Sequence, residues 1–114
     1  MLKEYALKNE DIEYVRENMP TFGVTKKISN FYYIFSDPTR ILIIAALRVS
    51  ELCVTDLCEI LMLNQTTISH QLKILRDANI VDYRRYGKIL FYKVIDKNAV
   101  DIINSCFQDF AVVS

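Results

Sequence analysis

Residues 64–75 read NQTTISHQLKIL, and most of the architecture can be worked out from this segment. Asn64 suits an N-cap, so we predict a helix from residue 65 to residue 78. Asn79 follows it, and asparagine tolerates the left-handed conformation that ends many helices. At 100° per residue, three apolar residues fall on one face of this helix and predict its buried side: Ile68, Leu72 and Leu75.

The other side of this helix is polar, and it contains no acidic residue from Gln65 to Lys73. Hydroxyl, amide, imidazole and ammonium groups can bond to base edges and phosphates. An idle surface helix usually carries Glu–Lys pairs, whereas residues 65–73 have no carboxylate. We therefore expect this face to bind DNA, with these candidate contacts: Gln65, Thr66, Thr67, Ser69, His70 and Lys73.

A second, shorter helix is predicted just before this one, over residues 54–62. Cys53 occupies its N-cap position, and Asp56 falls at the third helical position, where a carboxylate suits the helix dipole. Its apolar residues are expected to point inward: Leu57, Ile60 and Leu61. A turn at residues 63–64 joins the two helices, so residues 54–78 are predicted to form a helix-turn-helix.

A β-hairpin is predicted directly after the helix-turn-helix. Residues 80–86 and 89–94 are rich in β-branched and aromatic side chains, and Gly87-Lys88 supplies the turn. The chain has no net charge, but residues 64–93 carry six basic and two acidic side chains, a net of +4. We therefore expect residues 80–94 to form a wing that contacts phosphates or the minor groove through its basic residues, Arg84, Arg85 and Lys88.

The remaining segments are expected to be helical. Asp37 and Pro38 suit a helix start, and the run ILIIAAL at residues 41–47 predicts a central helix that is apolar all round. Residues 2–18 and 24–35 are predicted to be helices separated by a linker around Pro20 and Gly23. Asp96 can cap a last helix over residues 97–111, whose apolar stripe is Ala99, Ile102, Ile103, Cys106, Phe107 and Phe110.

Length and composition limit the classes of protein. With 114 residues, 52% of them hydrophobic, we expect one mainly α domain over residues 1–114, in which residues 1–22 are an extra N-terminal helix and linker. The surplus of apolar residues favours a homodimer. There is no bilayer-spanning run and no signal-peptide pattern, so a cytoplasmic protein is expected. A single His and the lack of Cys-x-x-Cys and Gly-rich phosphate loops argue against an enzyme.

Three segments together resemble the ArsR/SmtB family of bacterial metal-responsive repressors: SDPTRI at 36–41, ELCVTDL at 51–57, and residues 64–75. The resemblance implies a dimeric winged helix-turn-helix whose first and last helices form the interface. It implies repression of an operon, relieved when an inducer binds. It also implies that the major groove is contacted by Gln65, Thr66, Ser69 and His70, and that the hairpin from Arg84 to Lys88 is the wing.

The sensor positions of that family are only partly kept. Thr55 replaces the second thiol of the arsenic and cadmium pattern, and residues 1–30 contain no Cys. The positions that match the zinc pattern are Asp96, Asn98, Asp109 and Val112, so both histidines are missing. A soft metal prefers thiolates, and zinc takes about four ligands. The candidate thiols for a soft metal ion or for thiol-based sensing are Cys53 and Cys58, while Cys106 is expected to be a buried hydrophobic residue.

Two other classes of function fit the residues less well. A winged-helix module for protein–protein contact would not need the acid-free helix face and the basic hairpin. A small thiol enzyme would need a base and a cleft that the motifs do not supply. The residues favour a DNA-binding regulator with no certain cofactor, and they leave open the operator, the inducer, and repression as against activation.

Overall fold

The structure, a computed structural model, describes residues 6–111. Its contacts are concentrated in two units, one ending at Asn30 and the other beginning at Phe31. Over the described residues the elements follow one another in this order: α1 (Asn9–Glu17), α2 (Phe22–Tyr33), a 3-10 turn (Ile34–Ser36), α3 (Pro38–Leu47), α4 (Val54–Leu61), α5 (Gln65–Asp77), β1 (Val81–Tyr86), β2 (Ile89–Val94) and α6 (Lys97–Ala111).

The two N-terminal helices begin at other residues than the sequence predicts. α1 begins at Asn9, after Lys8 in extended conformation, so the predicted start at residue 2 is wrong for residues 6–8, and residues 1–5 lie outside the described part. α2 begins at Phe22, because the Thr21 hydroxyl accepts a hydrogen bond from the backbone N–H of Val24 at 3.2 Å. Gly23 therefore lies in the first helical turn and not in a linker.

α3 is the central helix of the second unit, as predicted. The Asp37 carboxylate accepts hydrogen bonds from the backbone N–H groups of Thr39 (2.8 Å) and Arg40 (3.4 Å), and Pro38 takes the first helical position. The helix packs against α4, α5, α6 and β2. It is not buried all round, however, because Leu42 is 47% exposed. The apolar core that surrounds α3 consists of Ile34, Ile43, Ile44, Leu47, Leu57, Ile68, Leu72, Leu75, Ile80, Val81, Ala99 and Ile103.

The helix-turn-helix is present over the predicted residues. α5 follows its Asn64 cap, whose side-chain oxygen accepts from the backbone N–H of Thr67 at 2.8 Å, and Asn79 has the expected positive φ of 60°. The prediction for Ile60 is wrong, since this side chain is 55% exposed. The inner stripe of α4 runs instead through Val54, Leu57, Cys58 and Leu61, at spacing i, i+3, i+4, i+7.

The hairpin and the last helix also lie where they are predicted. β1 and β2 pair antiparallel around Gly87, which has φ +60°, and Leu52 adds an isolated bridge to Tyr92 on the other edge of β2. α6 follows Asp96, whose carboxylate accepts from the backbone N–H of Ala99 at 3.1 Å. Only the first half of its apolar stripe is covered, since Phe107 is 41% and Phe110 73% exposed. The second unit is therefore a winged helix-turn-helix.

One charged side chain, Arg40, lies in the core with 5% of its surface exposed. Its Nε donates to the carbonyl oxygen of Ile34 (2.9 Å), one terminal nitrogen donates to that of Tyr33 (3.3 Å), and the other donates to Oε1 of Gln71 (3.2 Å). The carboxylate of Asp37 lies 3.8 Å away. A buried cation is tolerated only when it is paired and hydrogen-bonded in this way. Arg40 thus connects the 3-10 turn, α3 and α5.

We predict that Arg40→Ala lowers the free energy of unfolding by about 3 kcal/mol, because it leaves buried acceptors without a donor. Urea denaturation followed by circular dichroism measures this change. Arg16→Ala on the exposed surface of α1 is the matched control and should stay within about 0.5 kcal/mol of the parent. Equal stability of the two variants would contradict the structural role given to Arg40.

A second prediction concerns Met62, which ends α4 with a φ of 56° and is 89% exposed. Residues with a Cβ are strained in this left-handed region, whereas glycine is not. Met62→Gly should therefore raise the free energy of unfolding by about 0.5–1 kcal/mol relative to Met62→Ala, which removes the side chain but keeps the strain. Denaturation of the two variants side by side decides the point, and a less stable glycine variant would contradict it.

Candidate nucleic-acid interface

The polar face of α5 is open to solvent. Because Ile68, Leu72 and Leu75 hold the inner side of the helix in the core, the polar residues are turned outward together. Of the predicted contacts, Thr67 is half-buried, and the others are exposed: Gln65, Thr66, Ser69, His70 and Lys73. Lys73 pairs with Asp77 one turn later at 3.3 Å, with both side chains exposed. Such a pair is weak enough for Lys73 to exchange its partner for a phosphate.

The three basic residues predicted to contact DNA from the hairpin, Arg84, Arg85 and Lys88, are exposed, but they do not share one face of the sheet. Arg84 pairs in register with Phe91, and Arg85 pairs with Leu90. Side chains alternate between the two faces of a strand, so Arg85 shares the face of Tyr83 and Leu90, while Arg84 lies on the opposite face. Lys88 stands in the turn. Within residues 6–111, neither Arg85 nor Lys88 forms an ion pair.

A cleft of about 300 Å³ lies between α5 and the face of the hairpin that carries Arg85. One end of it is bridged by Arg76, whose guanidinium carbon lies 4.3 Å from the ring centroid of Tyr83 and whose Nε donates to Asp82 at 3.2 Å. The residues that line the cleft are Ser69, Leu72, Lys73, Arg76, Asp77, Tyr83, Leu90 and Tyr92. The polar face of α5 and this face of the hairpin therefore border the same groove.

The surroundings of three hairpin residues, Asp82, Arg84 and Tyr92, shift the pKa values of their side chains. The pKa of the Asp82 carboxyl is lowered, first by the hydrogen bond from the backbone N–H of Tyr83 and then by Arg76. Burial raises the pKa of the Tyr92 hydroxyl. The pKa of Arg84 is raised by its hydrogen bond to Glu51, where Nε and Oε2 are 2.8 Å apart. Arg84 is thus already engaged by an anion, and its contact with DNA stays a prediction.

Cys53 acts as a helix cap. Its backbone N–H donates to the Asp56 carboxylate at 3.4 Å, and its Sγ lies 3.2 Å from the same oxygen. Thr55 is exposed, and Cys58 is half-buried against the core. One thiol beside one carboxylate does not suit a soft metal, which takes several thiolates. Over residues 6–111, no group of three or more His, Cys, Asp and Glu side chains is close enough to hold a metal ion.

The zinc-pattern positions are spread along α6 and its cap. Asp96 is the N-cap of the helix, and Asn98 and Asp109 are exposed on it. Val112 lies outside the described residues. Cys106 is half-buried, so its expected full burial on the apolar stripe is not reached in the single chain.

Four residues that position the interface are not identified by the sequence pattern: Arg40, Glu51, Gln71 and Arg76. Gln71 of α5 accepts from the buried Arg40, Arg76 fixes β1 against α5, and Glu51 pairs with Arg84. A local pattern could not identify these residues, because each bond joins residues from different elements. The one local signal is Arg40 itself, a cation that stands directly before the apolar run at residues 41–47.

No helix in the described part of the chain is long and apolar enough to cross a membrane.

Comparisons with known proteins place the chain among bacterial regulators. The profile described as bacterial regulatory protein, arsR family, matches residues 37–83. The chain is 30% identical over 93 residues to a transcriptional repressor SmtB homolog of Synechocystis, covering 82% of the chain and 70% of the relative. It is 36% identical over 93 residues to an arsenical resistance operon repressor of Staphylococcus xylosus, covering 75% and 88%.

Solved structures agree with these relatives. The crystal structure of the transcriptional repressor BigR from Xylella fastidiosa superposes with a TM-score of 0.73 at 27% identity, over 91% of the chain and 97% of the repressor. The match extends beyond residues 37–83 and includes helices on both sides of the helix-turn-helix.

The capping role of Cys53 leads to a prediction. Serine is a strong N-cap and alanine is a poor one, so Cys53→Ser should be about 1 kcal/mol more stable than Cys53→Ala. Urea denaturation under reducing conditions measures the difference. If both variants unfold at the same urea concentration, residue 53 does not act as the N-cap of α4.

Proposed function

The chain belongs to the ArsR family of bacterial regulatory proteins, and from this we propose that it is a transcriptional repressor that binds operator DNA in a sequence-specific manner. The observation that carries the proposal is the exposed polar face of α5, which carries no carboxylate from Gln65 to Lys73, beside a basic hairpin. A duplex phosphate backbone would be repelled by carboxylates at this place, and residues 65–73 contain none. The protein would work in the cytoplasm, where its DNA lies.

α5 is proposed to enter the major groove with its polar face. Gln65 stands at the helix start, where an amide can bond adenine on two atoms, and the hydroxyls of Thr66 and Ser69 can bond several bases. His70 lies one turn after Thr66 and extends the same face. Lys73 would contact guanine or a phosphate. Thr67 is half-buried, so we assign it a phosphate or methyl contact at the edge of the interface.

The hairpin is proposed to act as the wing beside this helix. Arg85 lies on the face that borders the α5 cleft, and Lys88 stands exposed in the turn. Both can neutralise phosphates, which adds affinity without adding sequence preference. Arg84 is exposed to about half its surface, but it is already paired with Glu51.

We further propose that the repressor is a homodimer that uses its first and last helices. The support from this chain is α6, whose stripe leaves Phe107 and Phe110 exposed. Aromatic residues exposed in a row are costly in a monomer and are usually covered by a partner. Two copies would present two α5 helices to two half-sites of a symmetric operator.

Relief of repression by an inducer belongs to the same proposal. Relatives carry names that refer to arsenical and cadmium resistance. In this chain Cys53 and Cys58 are the thiols that a soft metal ion or a thiol-reactive species would use. A metal ion held there would need further ligands from water or from a partner chain, because zinc and soft metals take three or four ligands.

The assignment of α5 predicts the behaviour of two variants. Gln65→Ala and His70→Ala should each weaken binding to the preferred duplex about 10- to 100-fold, which is the usual value of one base contact, while binding to random DNA changes little. The preferred duplex is first selected from a randomised library with the unaltered protein. Binding is then measured by gel shift at fixed salt, and the dimer is checked by light scattering.

Gln108→Ala is the matched control, since Gln108 is an exposed amide on α6 and should not affect DNA binding. If Gln65→Ala and His70→Ala bind the selected duplex as tightly as this control, α5 does not read bases. If the selection enriches no sequence at all, the chain is a winged-helix module for protein contact.

A further inference from the structure

The Arg84 side chain is held on three sides in the absence of DNA. Its Nε donates to Oε2 of Glu51 at 2.8 Å. Its guanidinium carbon lies 4.8 Å from the ring centroid of Tyr86 and 5.6 Å from that of Phe91. A planar guanidinium suits both contacts at once, since it can bond a carboxylate at its edge and stack on rings with its face. Arg84 therefore has a defined position, unlike a free cation at a hairpin tip.

The Arg84–Glu51 pair connects β1 to the segment that precedes α4. Leu52 bridges to Tyr92 through two backbone bonds, from the Leu52 N–H at 3.1 Å and from the Tyr92 N–H at 2.8 Å. β2 consequently lies between β1 and the segment that precedes α4. The bond from Arg84 on β1 to Glu51 spans β2 and ties the outer strand of the hairpin to the body of the domain.

The direction of Arg84 separates it from its neighbour in the chain. Arg84, Tyr86 and Phe91 share the face of the sheet that looks away from the α5 cleft. Arg85 lies on the opposite face, with residues that line this cleft. The two arginines are adjacent in sequence and equal in charge, but only Arg85 lies on the face of the sheet that lines the cleft next to α5.

We propose that Arg84 is a positioning residue of the wing, and that with Glu51 it forms a clasp that sets the angle of the hairpin relative to α5. The effect of this clasp on DNA affinity rests on the proposed function, whereas the clasp itself is a property of the free protein. In this arrangement Arg85 and Lys88 contact phosphates, and Arg84 contributes to binding only by holding them in place.

The opposite reading is that Arg84 binds a phosphate and that Glu51 competes with DNA for it. The two readings predict opposite results for Glu51→Gln. A lost clasp loosens the wing and weakens DNA binding, whereas a lost competitor frees Arg84 and strengthens it. They also differ for Arg84→Gln, because log K falls with log salt and each lost phosphate contact makes that fall less steep by about 0.9.

The experiment compares Glu51→Gln, Arg84→Gln and the matched control Arg85→Gln on the selected duplex at four salt concentrations. We expect the first two variants to lose about two- to fivefold in affinity, as for a partly exposed pair, with the slope unchanged. Arg85→Gln should reduce the steepness of the salt dependence by about 0.9. Thermal unfolding of each variant verifies that the fold is kept.

A second measurement needs no DNA. Amide hydrogen exchange of Leu52 and Tyr92 reports on the bridge that the clasp protects. Both amides should exchange about two- to fivefold faster in Glu51→Gln and Arg84→Gln than in the parent protein, and at the parent rate in Arg85→Gln. Because this readout is independent of the operator, it tests the clasp even if the selection enriches no sequence and the proposed function fails.

Three results would overturn the clasp. The first is tighter DNA binding by Glu51→Gln. The second is a salt dependence that is less steep by about 0.9 in Arg84→Gln, which would make Arg84 a phosphate ligand. The third is unchanged exchange of Leu52 and Tyr92 in both variants, since the pair would then hold nothing.

Discussion

The buried guanidinium of Arg40 is the contact on which the second unit depends. It lies in an apolar core, where an unpaired charge would be prohibitive, and it is satisfied by oxygen atoms of the 3-10 turn and of Gln71 on α5. These bonds can form together only if α3, the turn and α5 keep their relative positions. A hydrophobic core alone tolerates small shifts of its helices, whereas a network of this kind specifies one arrangement. The orientation of α5 is thus fixed from the inside.

α5 therefore serves two purposes, one with each of its faces. Its inner face supplies Ile68, Leu72 and Leu75 to the core, and Gln71 at the border accepts from Arg40. Its outer face is left with no structural task, so its residues are free to suit a ligand. On the hairpin, side chains alternate between the two faces of the sheet. Arg84 therefore lies on one face and pairs with Glu51, while Arg85 lies on the face that lines the cleft beside α5. Rigid support beneath an unoccupied polar face is what a DNA-reading surface needs.

Local signals in the sequence were sufficient for most of the fold. The caps Asp37, Asn64 and Asp96 and the turn at Gly87 each place an element to within about a residue, because a cap or a tight turn is determined by its own few residues. The prediction for Ile60 rests on its apolar side chain alone, whereas at 100° per residue Ile60 lies about 110° from the middle of the inner stripe and faces solvent. The sequence places the start of α2 two residues late, at residue 24. The Thr21 hydroxyl caps the helix so that it begins at Phe22, and Gly23 is accommodated in the first turn.

The candidate interface was predictable by residue type but not by arrangement. Periodicity identifies the outer face of α5, and the basic residues of the hairpin stand out in a neutral chain. The bonds that position them join Arg40 to Gln71 over 31 residues and Arg84 to Glu51 over 33, and no local pattern encodes such a pairing. The sensor could not be predicted either, because thiols that stand apart in sequence reveal nothing of their distance in space.

The most direct test of a sequence-reading repressor is fluorescence anisotropy of the reduced protein on DNA from upstream of its own gene, with random duplex as competitor. A specific regulator should stay bound at a competitor excess of about a thousandfold, the lower end of the usual ratio between specific and non-specific affinity. Binding that random DNA displaces at equal concentration, for this duplex and for one selected from a library, would contradict a role in reading sequence and leave only general affinity for phosphates.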